Sequence, residues 1–231
     1  MKTKLILLLI FTAFSLLFFG CGAAMATKST EFPKMYEEQP RSILILPPMN
    51  NSSDAEAKDY YMTTVEMPFA LMGYYTFPAE MVSDIMKQEG VYDTELLYNM
   101  PVEKFYEYFG ADTVLFTTIN RWDVSYAVIA SSLTVSITSK LVSTKTNEVL
   151  WHYTGTVHID LSGNSNSGGD PLINLIANAI ATAINTAAAD YVDYAKQANN
   201  RIIYSLPAGP YNPMHMKDQN VEIVDQTPPS N

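Results

Sequence analysis

Cysteine is all but missing from this 231-residue chain, with Cys21 the single example. A disulfide framework, a thiolate zinc site and an iron–sulfur cluster are thereby excluded. Histidine is scarce as well, three in all, which leaves little for an imidazole-built metal centre. Charged residues make up only 16%, and basic ones are the fewer, 14 Lys+Arg against 24 Asp+Glu. A formal net charge of −10 argues against a general nucleic-acid binder, which needs cations to displace phosphate counter-ions. The N-terminal apolar run, Leu5 to Phe19, is too short for a permanent membrane span. It makes about 22 Å of helix against a hydrocarbon core of about 30 Å. What the chain does have is apolar content, 48%. That is too much for a disordered protein and enough for one globular domain with appendages.

Lys2 and Lys4 precede the apolar run and make residues 1–20 a signal peptide. Phe18-Phe19-Gly20-Cys21 resembles a bacterial lipobox, in which the signal is cut before the cysteine and its thiol and new amine are acylated. Phe18 and Phe19 depart from that motif, which usually has a leucine and a small residue there. The alternative is a signal cut elsewhere, with Cys21 an incidental apolar residue; an unpaired exported thiol speaks for acylation. The resemblance implies lipidation of Cys21, with palmitate-type chains anchoring the protein to a membrane at about 0.8 kcal/mol per buried methylene. Gly22 stands where an Asp would resemble an inner-membrane retention signal, which implies the outer membrane, on its periplasmic face. Loss of residues 1–20 takes two lysines and leaves 12 basic against 24 acidic residues, a formal −12. Anionic headgroups repel such a surface, so residues 21–40 are expected to be an acylated tether holding the body off the bilayer.

The body spans 41–200. Ile43-Leu44-Ile45-Leu46, stopped by Pro47-Pro48, predicts a strand covered on both faces. A helix is expected over Ala55 to Glu66, ended or kinked by Pro68 near Met67. Tyr74 to Phe77 predicts a short strand, and Pro78 opens a helix to about Glu89 with Met81, Val82, Ile85 and Met86 on one side. Pro101 starts another helix, Val102 to Phe109, closed by Gly110. Asp112 to Asp123 then reads as a central strand. The next run alternates, with Ile129, Leu133, Val135, Ile137 and Leu141 inward and Ser132, Thr134, Ser136, Thr138 and Lys140 outward. After a turn at Ser143 to Asn147, Val149, Trp151, Tyr153, Val157 and Ile159 should face inward. His152, Thr154, Thr156, His158 and Asp160 should face outward. Pro171 begins a long Ala-rich helix to about Ala198, with a face running from Leu172 to Tyr194. Residues 201–231 form a Pro-rich C-terminal strap. The expected fold is α+β: a mixed sheet of two short strands plus a three-stranded antiparallel meander, packed with helices.

Ile43 to Pro47, Gly110 to Leu115 and Leu141 to Trp151 resemble the periplasmic domain shared by the amino-terminal part of TolB and the curli secretion-channel lipoprotein. Asn147 stands where that domain usually has glycine, a substitution a left-handed turn tolerates. Four further pieces look like a family of bacterial lipoproteins without assigned activity. They are Gly73-Tyr74-Tyr75-Thr76-Phe77-Pro78, Tyr108 to Asp112, Ser125 to Ile129 and Gly209-Pro210-Tyr211-Asn212-Pro213. That likeness implies neighbours, a curli-channel-like lipoprotein and a second small lipoprotein, and carries over no catalytic residues.

Catalytic chemistry finds little support. His152, His158 and Asp160 share one parity but lack a third nearby ligand of known position. The Ser162 to Gly169 loop lacks the lysine of a phosphate-binding loop, and no Ser-His-Asp arrangement has a nucleophile turn. Two surfaces remain as binding candidates. One is the crowd of Tyr60, Tyr61, Met62, Met67, Met72, Tyr74 and Tyr75, which reads first as core and gap-filling residues and otherwise as an adaptable interface. The other is the uncharged outward face Thr134, Ser136, Thr138, Thr154 and Thr156. The expected function is a non-enzymatic outer-membrane lipoprotein, a component of a cell-envelope assembly with a curli-channel-like lipoprotein, needing no metal or cofactor. The alternative is a periplasmic small-molecule or glycan binding protein.

Overall fold

The computed structural model describes residues 26–126, 131–160 and 191–223. Strand β1 (Ser42–Ile45) is buried at all four positions, as an apolar run covered on both faces must be. It lies parallel to β3 (Tyr75–Phe77) on one side and β4 (Thr113–Tyr126) on the other. β4 pairs antiparallel with β5 (Ser131–Ser143), and β5 with β6 (Val149–Asp160). The sheet runs β3-β1-β4-β5-β6, and a two-residue strand, β2 (Met49–Asn50), also pairs with β4. The expected mixed sheet and meander are therefore present. β2 is an addition too short for periodicity to mark.

Each sheet face has its own core. On the first, Ile43, Ile45, Leu115, Ile119, Trp122, Leu133, Val135, Ile137, Leu141 and Trp151 are buried. They lie under helices that include α1 (Lys28–Glu31), α2 (Pro33–Glu38), α3 (Ala57–Met62), α4 (Glu66–Leu71), α8 (Tyr191–Asn200) and α9 (Ile202–Ser205). On the second, Leu44, Leu46, Val114, Phe116 and Val142 pack with α5 (Ala79–Gln88), α6 (Thr94–Tyr98) and α7 (Val102–Phe109). Among the described residues, no β4 side chain beyond Phe116 belongs to this second core. The outer half of the meander is thus, among the described residues, backed on one face and open on the other.

Several local expectations are corrected. The helix expected over Ala55 to Glu66 stops at Met62, because the Thr63 and Thr64 hydroxyls donate back to the Tyr60 and Tyr61 carbonyls. A new helix starts at Glu66 and takes Pro68 into its first turn, where a missing N–H is no loss. In α5 the buried stripe is Ala79, Val82 and Met86, while Met81 and Ile85 are exposed. In β6 the register shifts between Leu141 and Val142, which pair with Trp151 and Val149, so Leu150 is an extra residue. That bulge reverses parity at the strand's start. Leu150 is buried and Val149 is 44% exposed, while Trp151, Tyr153 and Val157 face inward as expected. A second shift at Asn120 lets Ile119 and Trp122 face the same core. Asn147 turns the chain at φ 60. Ile129 and the long-helix face from Leu172 to Ala187 lie outside the described residues.

The tether expected over 21–40 is folded from Thr27 onward. Thr27 caps α1, Pro33 opens α2, and Phe32 and Met35 bury themselves in the first core. The C-terminal strap lies against this segment. Thr27 bridges Glu222, and the Lys28 ammonium sits 3.1 Å from Asp218 and 2.7 Å from the Leu206 carbonyl. Asp218 also accepts from the Ala208 N–H (2.9 Å) and the Tyr36 hydroxyl (3.1 Å). The strap crosses the body at two glycines. Gly209 N–H donates to the Met72 carbonyl (2.8 Å) and Tyr211 N–H to the Gly73 carbonyl (3.0 Å). Gly73 has φ +83, and a Cβ there would strike the Asn212 backbone, so no larger residue fits the crossing. The two glycine-led pieces that carry the lipoprotein resemblance, Gly73 to Pro78 and Gly209 to Pro213, thus meet in space.

Candidate functional site

The open half of the meander holds the five residues singled out by parity, and cross-strand register brings them together. Thr138 pairs with Thr154, Ser136 with Thr156 and Thr134 with His158. Their hydroxyls are engaged with one another and with neighbours on the face. Thr134 Oγ1 lies 3.0 Å from His158 Nδ1, Thr156 donates to Ser136 at 3.1 Å, and Asn120 donates to Thr138 at 2.8 Å. Thr154 and Thr156 are exposed, Ser136 and Thr138 half-buried, and Thr134 is buried although its parity is outward. The charges opposite, Arg121 and Asp123, pair with each other at 2.5 Å. Cys21 lies outside the described residues.

This face continues into a groove of about 920 Å³. Its floor is Phe116, Thr118, Asn120, Thr138, Lys140 and Thr154, and its wall is the α6–α7 turn from Tyr98 to Glu103. Tyr98 fixes the wall to the sheet: its hydroxyl donates to the Thr117 carbonyl (2.5 Å) and accepts from the Thr117 N–H (2.9 Å). Burial pushes the Tyr98 phenol well above its ordinary pKa, against the pull of the backbone hydrogen bonds. Lys140 stands 5.7 Å over the Phe116 ring, a cation–π contact that spares a groove cation a carboxylate partner. Parity could not reveal this wall, because α6 is a five-residue helix in a segment without apolar periodicity.

The remaining candidates separate. His152 is held edge-on to Phe32 (5.3 Å) and 3.4 Å from Glu31, so it is not the solvated sheet residue its parity implies. His158 is six residues along the strand, about 20 Å away, which rules out a shared site. Among the described residues no group of three or more His, Cys, Asp or Glu is placed to hold a metal. The Tyr/Met crowd divides: Tyr61, Met72 and Tyr74 are core, whereas Met67 and Tyr75 are exposed. A smaller polar pocket of about 490 Å³ contains Asp112. Burial opposes the charge of Asp112, but the Arg41 N–H and the Lys145 ammonium, each 3.0 Å away, outweigh it and lower the pKa.

Residues 30–210 match the family described as GNA1162-like putative lipoproteins. The chain belongs to that family. It is 30% identical over 182 residues to the putative lipoprotein NMB1124/NMB1162 of Neisseria meningitidis serogroup B, covering 79% of this chain and 81% of the relative. The crystal structure of lipoprotein GNA1162 from Neisseria meningitidis is 29% identical, with a TM-score of 0.51 over 63% of this chain and 99% of that one. The matched span begins within α1 and ends at Pro210, so it includes α2 and the two glycines of the crossing. The meander and its open face lie within it too.

Proposed function

We propose that the chain is a lipid-anchored, non-enzymatic component of a cell-envelope assembly. It is held in the outer membrane through acylated Cys21, and it docks a second envelope lipoprotein, of the curli-channel-like kind, on the open face of its meander. The observation that carries the reading is that face itself: five hydroxyl side chains in cross-strand register, with the adjacent Arg121 and Asp123 paired to each other. Covering such a surface strips water from few full charges, and its hydroxyls bring local partners with them. Membership of a lipoprotein family supports the anchor.

The test is the double variant Thr154→Glu and Thr156→Glu, made in the full chain with its native signal. Both positions are exposed, so thermal unfolding should stay within about 0.5 kcal/mol of wild type. An unpaired carboxylate buried in an interface costs roughly 2–5 kcal/mol, so native co-purification of the partner should be lost. Unchanged melting with every partner retained sinks the docking reading. It would transfer the function to a small-molecule or glycan ligand, which the groove supports through Asn51, Asn120, Thr138 and Thr154.

A further inference from the structure

The point at which the chain enters the fold determines which surface can approach the bilayer. Ile223 N–H donates to the Ala26 carbonyl (2.8 Å), Lys28 N–H to Val221 (3.0 Å) and Ser29 N–H to Gln219 (3.1 Å). The first described residues are therefore paired with the C-terminal strap. Six peptide units join Cys21 to Thr27, and six units reach at most about 22 Å. An acylated Cys21 thus confines Thr27 to within that distance of the headgroups, and residues 219–223 of the strap, paired beside it, stay close by. A tether running to residue 40 would have imposed no such limit.

The strap carries what a bilayer surface accepts. Tyr211, Met214, Met216 and Val221 are exposed at 70%, 49%, 38% and 44%. Between Tyr211 and Val221 the Lys/Arg and Asp/Glu residues are Lys217 and Asp218, and Asp218 is paired with Lys28. This chain is strongly acidic as a whole and is repelled by anionic lipid, whereas this segment adds no net negative charge. Tyrosine and a lysine with a long apolar stem suit the interface between headgroups and acyl chains. We propose that the strap from Tyr211 to Val221 is the membrane-facing surface of the lipoprotein, seating its tyrosine, methionine and valine side chains among the headgroups. The proposal rests on the anchoring of Cys21.

The test uses the full-length protein, expressed with its native signal and reconstituted into phosphatidylethanolamine/phosphatidylglycerol vesicles containing nitroxide-labelled lipid. Met214→Cys, Met216→Cys and Val221→Cys each receive a thiol-reactive environment-sensitive fluorophore. Leu96→Cys and Tyr106→Cys, exposed on α6 and α7, serve as controls. Lipid quenching at the strap should exceed that at the controls at least threefold. Equal quenching, in protein that floats with the vesicles and carries an acylated Cys21 by intact mass, overturns the inference and leaves the anchor standing. A blue shift at the strap without lipid quenching places a protein there instead and also overturns it. A chain that neither floats nor carries acyl mass overturns the anchor and this inference together.

Discussion

Trp151 and His152 are neighbours on β6 with opposite surroundings, and together they test its register. Trp151 is fully buried, with Phe69 edge-on at 6.0 Å, Phe32 at 6.3 Å and Tyr153 stacked at 6.2 Å. Trp151→Ala should cost about 3–5 kcal/mol in denaturant unfolding, through lost burial and the cavity left behind. Parity alone would make His152→Ala nearly silent. Its contacts with Phe32 and Glu31 raise the expected loss to about 1 kcal/mol. A loss at His152 equal to that at Trp151 would mean that the faces are misassigned.

At the scale of elements, the groove wall depends on one hydroxyl. Tyr98→Phe leaves a buried Thr117 N–H and C=O without their partner, at a cost of about 1–3 kcal/mol. Hydrogen exchange of the Thr117 amide should accelerate, and α6 should open ahead of the sheet; an unchanged rate would show that the wall stands on other contacts. The strands and the proline-led helices were legible because their signals are local: a fully apolar β1, an alternating β5, and Pro78 and Pro101 just ahead of α5 and α7. What escaped depended on partners distant in sequence. The bulge at Leu150 exists only in relation to Leu141 and Val142. Residues 27–38 look like a polar linker until Phe32 is set against Trp151. The hydroxyl face was found by parity, yet its depth was not: Thr134 is buried although its parity is outward, with its hydroxyl against the cross-strand His158.

The whole molecule has a built-in alkaline limit. Burial raises the phenols of Tyr36, Tyr61, Tyr74, Tyr98 and Tyr153, and at Tyr36 and Tyr74 the nearby Asp218 carboxylate raises them further. A folded pKa above the unfolded value of about 10 gives stability that is complete below pH 10. It is lost above pH 10, where only the unfolded chain releases those protons. The denaturant midpoint should hold steady from about pH 7 to 9 and fall beyond 10; exposed tyrosines such as Tyr211 ionise first, and the remaining phenolate absorbance should rise together with unfolding. Full phenolate absorbance, that of all the tyrosines, reached before unfolding would place these five side chains in contact with water.

The pairing of Lys28 with Asp218 spans 190 residues of sequence, and this orders events in time. Closing a loop of that length costs on the order of 5 kcal/mol of chain entropy, repaid only once both ends are present. A chain exported from its N-terminus delivers residues 218–223 long after residues 26–29. Throughout that interval the segment next to Cys21 has no strap to pair with. On the proposed anchoring of Cys21, signal cleavage and acylation would meet an open N-terminus, and residues 218–223 would close the domain behind a lipid already in place.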